Sequence, residues 1–129
     1  MAGKYLLDSN VAISFLEKEL AFEDVVAGSD ELFLASIVVG ELYYGAIASH
    51  RSEENLQRLE AFVTAIAMLS CDLDTAVVYG ELKANLRSKG RPIPDNDLWI
   101  AAIAKQHGLT LVTRDKHFSE LEGLDLKSW

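Results

Sequence analysis

Tyr5-Leu6-Leu7-Asp8-Ser9-Asn10-Val11 breaks the first apolar run of the chain on a carboxylate. A short apolar run that stops at an acid and small polar residues predicts a buried strand over Tyr5 to Asp8, handing over to a helix from Asn10 to about Glu19. Val11, Ile13, Phe15 and Leu16 give that helix an apolar side, and Ser9 or Asn10 can cap it. The same strand-to-helix step recurs outward from there. Leu32 to Ala35 predicts a second strand, followed by Ser36 as a cap and a very apolar helix, expected to be largely buried, from Ile37 to about Ser49. Glu53 to about Ala67 predicts an amphipathic helix with Leu56, Leu59, Phe62, Val63 and Ile66 on one side. Met68 to Cys71 follows as a third strand.

Asp72 to about Ser88 predicts another helix, closed by Gly90 as a left-handed cap. Arg91-Pro92-Ile93-Pro94 is held extended, because each proline disfavours helix at the residue before it. The next helix runs from near Asn96 to His107-Gly108, before a fourth strand from Leu109 to Thr113. Arg114 to Leu121 predicts a turn or short helix, and Leu124 to Lys127 a last edge strand. Short strands alternating with longer helices predict an α/β fold with a mainly parallel sheet. Strand order 3-2-1-4-5 would make strands one and four neighbours where the order reverses, the usual crevice of such sheets. Asp8 and Asp115 would then meet although 107 positions separate them.

The chain has 129 residues, enough for one core, and a single domain over 1–129 is expected. No apolar stretch approaches a membrane span and the N-terminal residues lack a signal-peptide core, so a cytoplasmic location with no membrane partner is expected. The lone Cys71 rules out an internal disulfide and reads as a small buried residue. His50, His107 and His117 make no zinc-ligand pair and read as surface or capping residues. Gly40 and Gly45 fall inside a helix and form no phosphate cradle, and Ser9, Ser14, Ser36 and Ser70 lack a nucleophile-elbow setting. Nucleotide-cofactor and acyl-transfer chemistry are therefore not indicated. The net charge of -8 runs against phosphate binding, yet half of the twelve basic residues lie in two stretches: Lys83, Arg87, Lys89 and Arg91, then Arg114 and Lys116. These form either a solvated face or a phosphate grip.

Asp8, Asp97 and Asp115 lie at or near helix starts, where a carboxylate can simply cap free amides. Glu41 is different. It stands past the first turn of the apolar helix, where it cannot cap, and an unpaired buried carboxylate would cost several kcal/mol. Its counter-charge is either a basic side chain from elsewhere or a divalent cation shared with the aspartates, since Mg²⁺ and Mn²⁺ select oxygen ligands.

Four blocks then carry a resemblance: Leu-Leu-Asp-Ser-Asn at 6–10, Val-Val-Gly-Glu-Leu-Tyr-Tyr-Gly-Ala at 38–46, Pro-Asp-Asn-Asp-Leu-Trp-Ile-Ala-Ala at 94–102, and Leu-Val-Thr-Arg-Asp-Lys-His-Phe at 111–118. Their order and spacing over nearly the whole chain resemble PIN-domain proteins, in particular the VapC-like toxins of toxin–antitoxin pairs. The resemblance implies a three-layer α/β/α sandwich, Mg²⁺ or Mn²⁺ at an acidic cluster, and endonucleolytic cleavage of RNA, with transfer or ribosomal RNA as substrate. It implies that Asp8, Glu41, Asp97 and Asp115 form the catalytic and metal-binding set, with Asp95 the alternative to Asp97. Thr113 matches a small polar supporting residue, Asn10 is a second polar support, and Arg87, Arg91 and Arg114 are candidates for gripping RNA phosphates. A homodimer and a cognate antitoxin that blocks the crevice, often with a basic side chain among the acids, are implied as well. The apolar positions Val38, Leu42, Tyr43 and Tyr44 read as core rather than partner groove.

Two rival readings use the same residues. A phospho-accepting receiver module also combines a doubly wound sheet, an acidic pocket and Mg²⁺, but it needs an acidic pair after the first strand, where Ser9-Asn10 stands, and an acceptor near Asp72. An inactive PIN-like binding protein would be expected to have lost some of the four acids, and all four are present.

Overall fold

A computed structural model describes residues 3–129. β1 (Lys4–Leu7), β2 (Glu31–Ala35), β3 (Ala67–Leu69), β4 (Thr110–Val112) and β5 (Leu126–Lys127) form one sheet in the order 3-2-1-4-5, and every pairing is parallel. The helices α1 (Ser9–Leu16), α2 (Phe22–Val25), α3 (Ser36–Ile47), α4 (Ser52–Ala65), α5 (Leu73–Lys89) and α6 (Asp95–His107) surround it, giving the expected α/β/α architecture. Central parallel strands are covered on both faces and so become apolar throughout: Leu6, Leu7, Leu34, Leu111 and Val112 are all fully buried.

The register positions the site. Leu6 pairs with Leu111 and Leu7 with Val112, and Asp8 N–H donates to the Val112 carbonyl at 2.9 Å. Asp8 and Thr113 therefore stand side by side where the chain leaves the sheet. α6 carries Leu98, Ile100, Ala101, Ala102, Ile103 and Ala104 buried, and its small alanines let α5 pack closely against it. α5 is closed at both ends, at its C-terminus as expected. Asp72 and Thr75 form a capping box, and Gly90 takes φ 66°, the left-handed conformation glycine adopts without steric cost.

Several boundaries differ from the sequence reading for identifiable reasons. α1 is capped by Asp8 rather than by Ser9 or Asn10, and it stops at Leu16 because Lys18 turns left-handed at φ 61°. Ser36 is the first residue of α3 and makes no cap hydrogen bond, its N-cap being Ala35. α2 is a single turn that sequence periodicity does not register; its Phe22 stacks on Phe15 with ring centroids 4.3 Å apart. Cys71 is exposed, against the expectation of burial. Among the described residues no helix is long and apolar enough to cross a membrane.

Candidate active site

Asp8 is the most constrained acid. It is buried, with a relative exposure of 4%, and both carboxylate oxygens are held: Oδ1 accepts from Ser9 N–H at 2.9 Å and Oδ2 from the Thr113 hydroxyl at 2.7 Å. Burial pushes its carboxyl above the ordinary range, the two hydrogen bonds pull it back, and Asp115 adds repulsion. Thr113 is buried too, and its hydroxyl oxygen also accepts from Asp115 N–H at 3.0 Å, which ties the two acids into one chain of hydrogen bonds.

Asp115 caps the 3₁₀ turn Lys116–Glu120. Its Oδ1 accepts from His117 N–H at 2.9 Å and faces His117 Nδ1 at 2.8 Å. Asp97 stands in the first turn of α6, half-buried, where desolvation first and then Asp8, Asp115 and Glu41 push its carboxyl up to about 6, with His117 acting the other way. Glu41 projects from α3 toward the same place. Partial desolvation and Asp8 raise its carboxyl, and the neighbouring Ser9 hydroxyl lowers it.

One sequence expectation about Glu41 fails. Its helix turns Val38, Val39, Leu42 and Ala46 inward and leaves Glu41 exposed, so it has no burial penalty of several kcal/mol to offset, and no basic side chain pairs with it among the described residues. What distinguishes it is its position among other acids. The four carboxylates come from the end of β1, α3, the start of α6 and the loop after β4. All four meet at the reversal point between β1 and β4, with Asp97 responding to the other three.

The donor set suits a hard dication: oxygen ligands, mutual repulsion and, among the described residues, only His117 acting against the rise at Asp97. The cage is open. Among the described residues no group of three or more His, Cys, Asp or Glu side chains already stands close enough to hold an ion. Mg²⁺ is commonly bound through one or two carboxylates with water completing its shell, so an open set fits it better than a closed all-protein cage would.

Other candidates separate clearly. Asp95 lies outside the cluster, bound to Tyr79 Oη at 2.9 Å and Lys83 Nζ at 3.1 Å, which hold its carboxyl below the ordinary range. Asn10 buries its Oδ1 without a hydrogen-bond partner. Much of the basic stretch is engaged: Lys83 with Asp95, Lys89 with Glu122 at 2.9 Å, and Arg91 with Glu120 at 2.9 Å. Arg114 Nε donates to the Trp129 carbonyl oxygen at 3.3 Å, while Arg87 is exposed and makes no ion pair among the described residues. Asp72, the acceptor in a receiver reading, is committed to capping α5 and accepts from Gln106 Nε2 at 2.8 Å. His117, read from sequence as a surface or capping residue, touches the cluster directly. Its position two residues after Asp115, inside a capping turn, was the available signal.

A cleft of about 460 Å³ opens beside the acids, lined by Ser9, Ile13, Glu41, Leu42, Gly45 and Leu59 among others. Val38 and Leu42 are core as expected, Tyr43 is half-buried against it, and Tyr44 is 76% exposed.

Comparison with known proteins agrees with this fold. The profile of the PIN domain family matches residues 5–124. The chain is 32% identical to Ribonuclease VapC2 of Rickettsia felis over 97% of both chains, and 33% identical to the tRNA(fMet)-specific endonuclease VapC of Shigella flexneri over 98% of both. Among solved structures it superposes on a chain of VapBC2 from Rickettsia felis, crystallised with a promoter DNA fragment, with a TM-score of 0.90 at 30% identity over 98% of both chains. VapBC from Salmonella typhimurium, also DNA-bound, gives a TM-score of 0.89 at 30% identity over 98% of both chains. With a family profile over nearly the whole chain and relatives above 30% identity along its full length, the chain belongs to the PIN domain family.

Proposed function

We propose that this protein is a divalent-metal-dependent endoribonuclease, the toxin of a toxin–antitoxin pair, with Mg²⁺ or Mn²⁺ at Asp8, Glu41, Asp97 and Asp115. The observation that carries the reading is Asp97: partial burial and then three other acids push it up to about 6 at a crevice where, among the described residues, no lysine or arginine pairs with the cluster. Such an arrangement destabilises the fold unless a cation is supplied, and strongly perturbed acids in a crevice mark functional sites. The relatives named as ribonucleases and a tRNA endonuclease point to RNA as the substrate.

Asp8 and Asp97 would be the principal ligands. When bound, the ion would polarise the scissile phosphate and lower the pKa of a water for in-line attack. Ser9 N–H and the Thr113 hydroxyl fix the Asp8 carboxylate, so its orientation is set before any ligand arrives. Glu41 and Asp115 would complete the site, and a carboxylate oxygen of one of them would take the proton from the attacking water. Arg87, Arg91 and Arg114 supply phosphate contacts, Arg87 and Arg114 being the two without an ion-pair partner among the described residues.

The structural neighbours are toxin–antitoxin complexes, which supports a cognate antitoxin as partner. The apolar cleft running from Glu41 past Leu42 and Leu59 is the surface on which such a chain would lie, with a basic side chain reaching the acids. A homodimer belongs to the same reading.

Purified tRNA and total RNA incubated with Mg²⁺, Mn²⁺ or EDTA provide the test. Discrete metal-dependent products are expected from the wild type and from neither Asp8→Asn nor Asp97→Asn. Absence of cleavage by a protein that binds metal would overturn the RNA substrate and favour DNA or an inactive binding role.

A further inference from the structure

We infer that His117 is a positioning residue: by holding Asp115 through Oδ1 alone, it turns the second oxygen, Oδ2, toward the metal-bearing crevice. This rests on the reading of the four acids as a metal site. Two contacts converge on one atom: Oδ1 accepts from His117 N–H at 2.9 Å, and the ring Nδ1 lies 2.8 Å from it. Oδ2 accepts no protein hydrogen bond among the described residues.

The backbone beneath the ring is anchored. The 3₁₀ turn that carries it is anchored in the core by Phe118, fully buried, and by Leu121, while Asp115 N–H is fixed on the Thr113 hydroxyl that also holds Asp8. Both ends of Asp115 are thus tied, one to the first acid and one to His117. The His117 side chain itself is 67% exposed, so its burial contributes little to packing, and a purely structural reason for the ring is weak.

Outer partners of metal-ligating groups typically alter metal affinity about 10- to 100-fold, and the exposure of His117 places it near the lower end. The experiment is Mn²⁺ titration of the intact protein, by calorimetry and by the paramagnetic resonance of free Mn²⁺, with melting temperature as a fold control. His117→Ala is expected to weaken Mn²⁺ binding about tenfold with the melting temperature unchanged. His117→Asn, whose Nδ2 occupies nearly the position of the imidazole Nδ1, is expected to restore most of the affinity, whereas His117→Gln, which presents its amide farther out, is not. Unchanged or tighter Mn²⁺ binding in His117→Ala would overturn the inference, as would equal weakening in the Asn and Gln variants. A wild type that binds no Mn²⁺, or no better than Asp8→Asn, would instead remove the metal site itself and this inference with it.

Discussion

Replacing Asp97 with Asn should stabilise the metal-free protein while removing its activity. The Asp97 carboxyl rises from an ordinary 3.8 to about 6. At about 1.36 kcal/mol per pKa unit, this corresponds to about 3 kcal/mol against the ionised form. The group is only partly buried, and solvent screening reduces that figure to about 1 kcal/mol. Its place in the first turn of α6 favours negative charge by about 0.3–1 kcal/mol, so part of the gain is lost again in the amide. The sign follows from linkage. Because the folded pKa lies above the unfolded one, the native state binds the proton more tightly, so stability falls as pH rises from about 3.8 to about 6 and stays low above that. Asparagine carries no such charge. The few tenths of a kcal/mol that remain should let Asp97→Asn melt roughly 1–3 °C above wild type in EDTA at pH 7.5, and the difference should shrink toward zero at pH 4. Saturating Mg²⁺ should stabilise the wild type and not the variant. A variant that melts at or below wild type at pH 7.5, or one that keeps its full advantage at pH 4, would refute the repulsion argument.

Two further outcomes follow from the contacts around the site. Thr113→Val leaves Asp8 Oδ2 buried without its hydrogen bond and should cost about 2 kcal/mol in urea unfolding at neutral pH, with Thr113→Ser recovering most of it. Arg87→Ala should weaken RNA binding and reduce the magnitude of its salt slope by about one, whereas Arg91→Ala should do less because Glu120 already neutralises that guanidinium; salt-dependent binding of a short RNA separates the two.

Much of this arrangement can be read from the chain alone, because a parallel α/β sheet leaves few alternatives. Short apolar runs ending in Asp8 and in Thr113-Arg114-Asp115 identify strand ends, and the fold class then makes β1 and β4 neighbours. What sequence does not carry is the rotation of a helix about its axis. Glu41 lies among apolar neighbours in sequence and so reads as buried, but packing of Val38, Val39, Leu42 and Ala46 against the core turns it and Tyr44 outward. The ion pairs of Lys89 and Arg91 likewise join residues 33 and 29 positions apart, and nothing local announces that these cations are already matched. His117 was missed for the same reason: its partner is close in sequence, but its relevance comes from the acids that three other segments bring to that spot.

The claim that four carboxylates from four segments make one divalent-metal centre is tested most directly by anomalous diffraction from crystals grown with Mn²⁺. We expect a single strong peak, about 2.1 Å from oxygens of Asp8 and Asp97 and joined through water to Glu41 and Asp115. A well-ordered crystal at saturating Mn²⁺ with no peak between β1 and α6, or with its peak elsewhere, would contradict it.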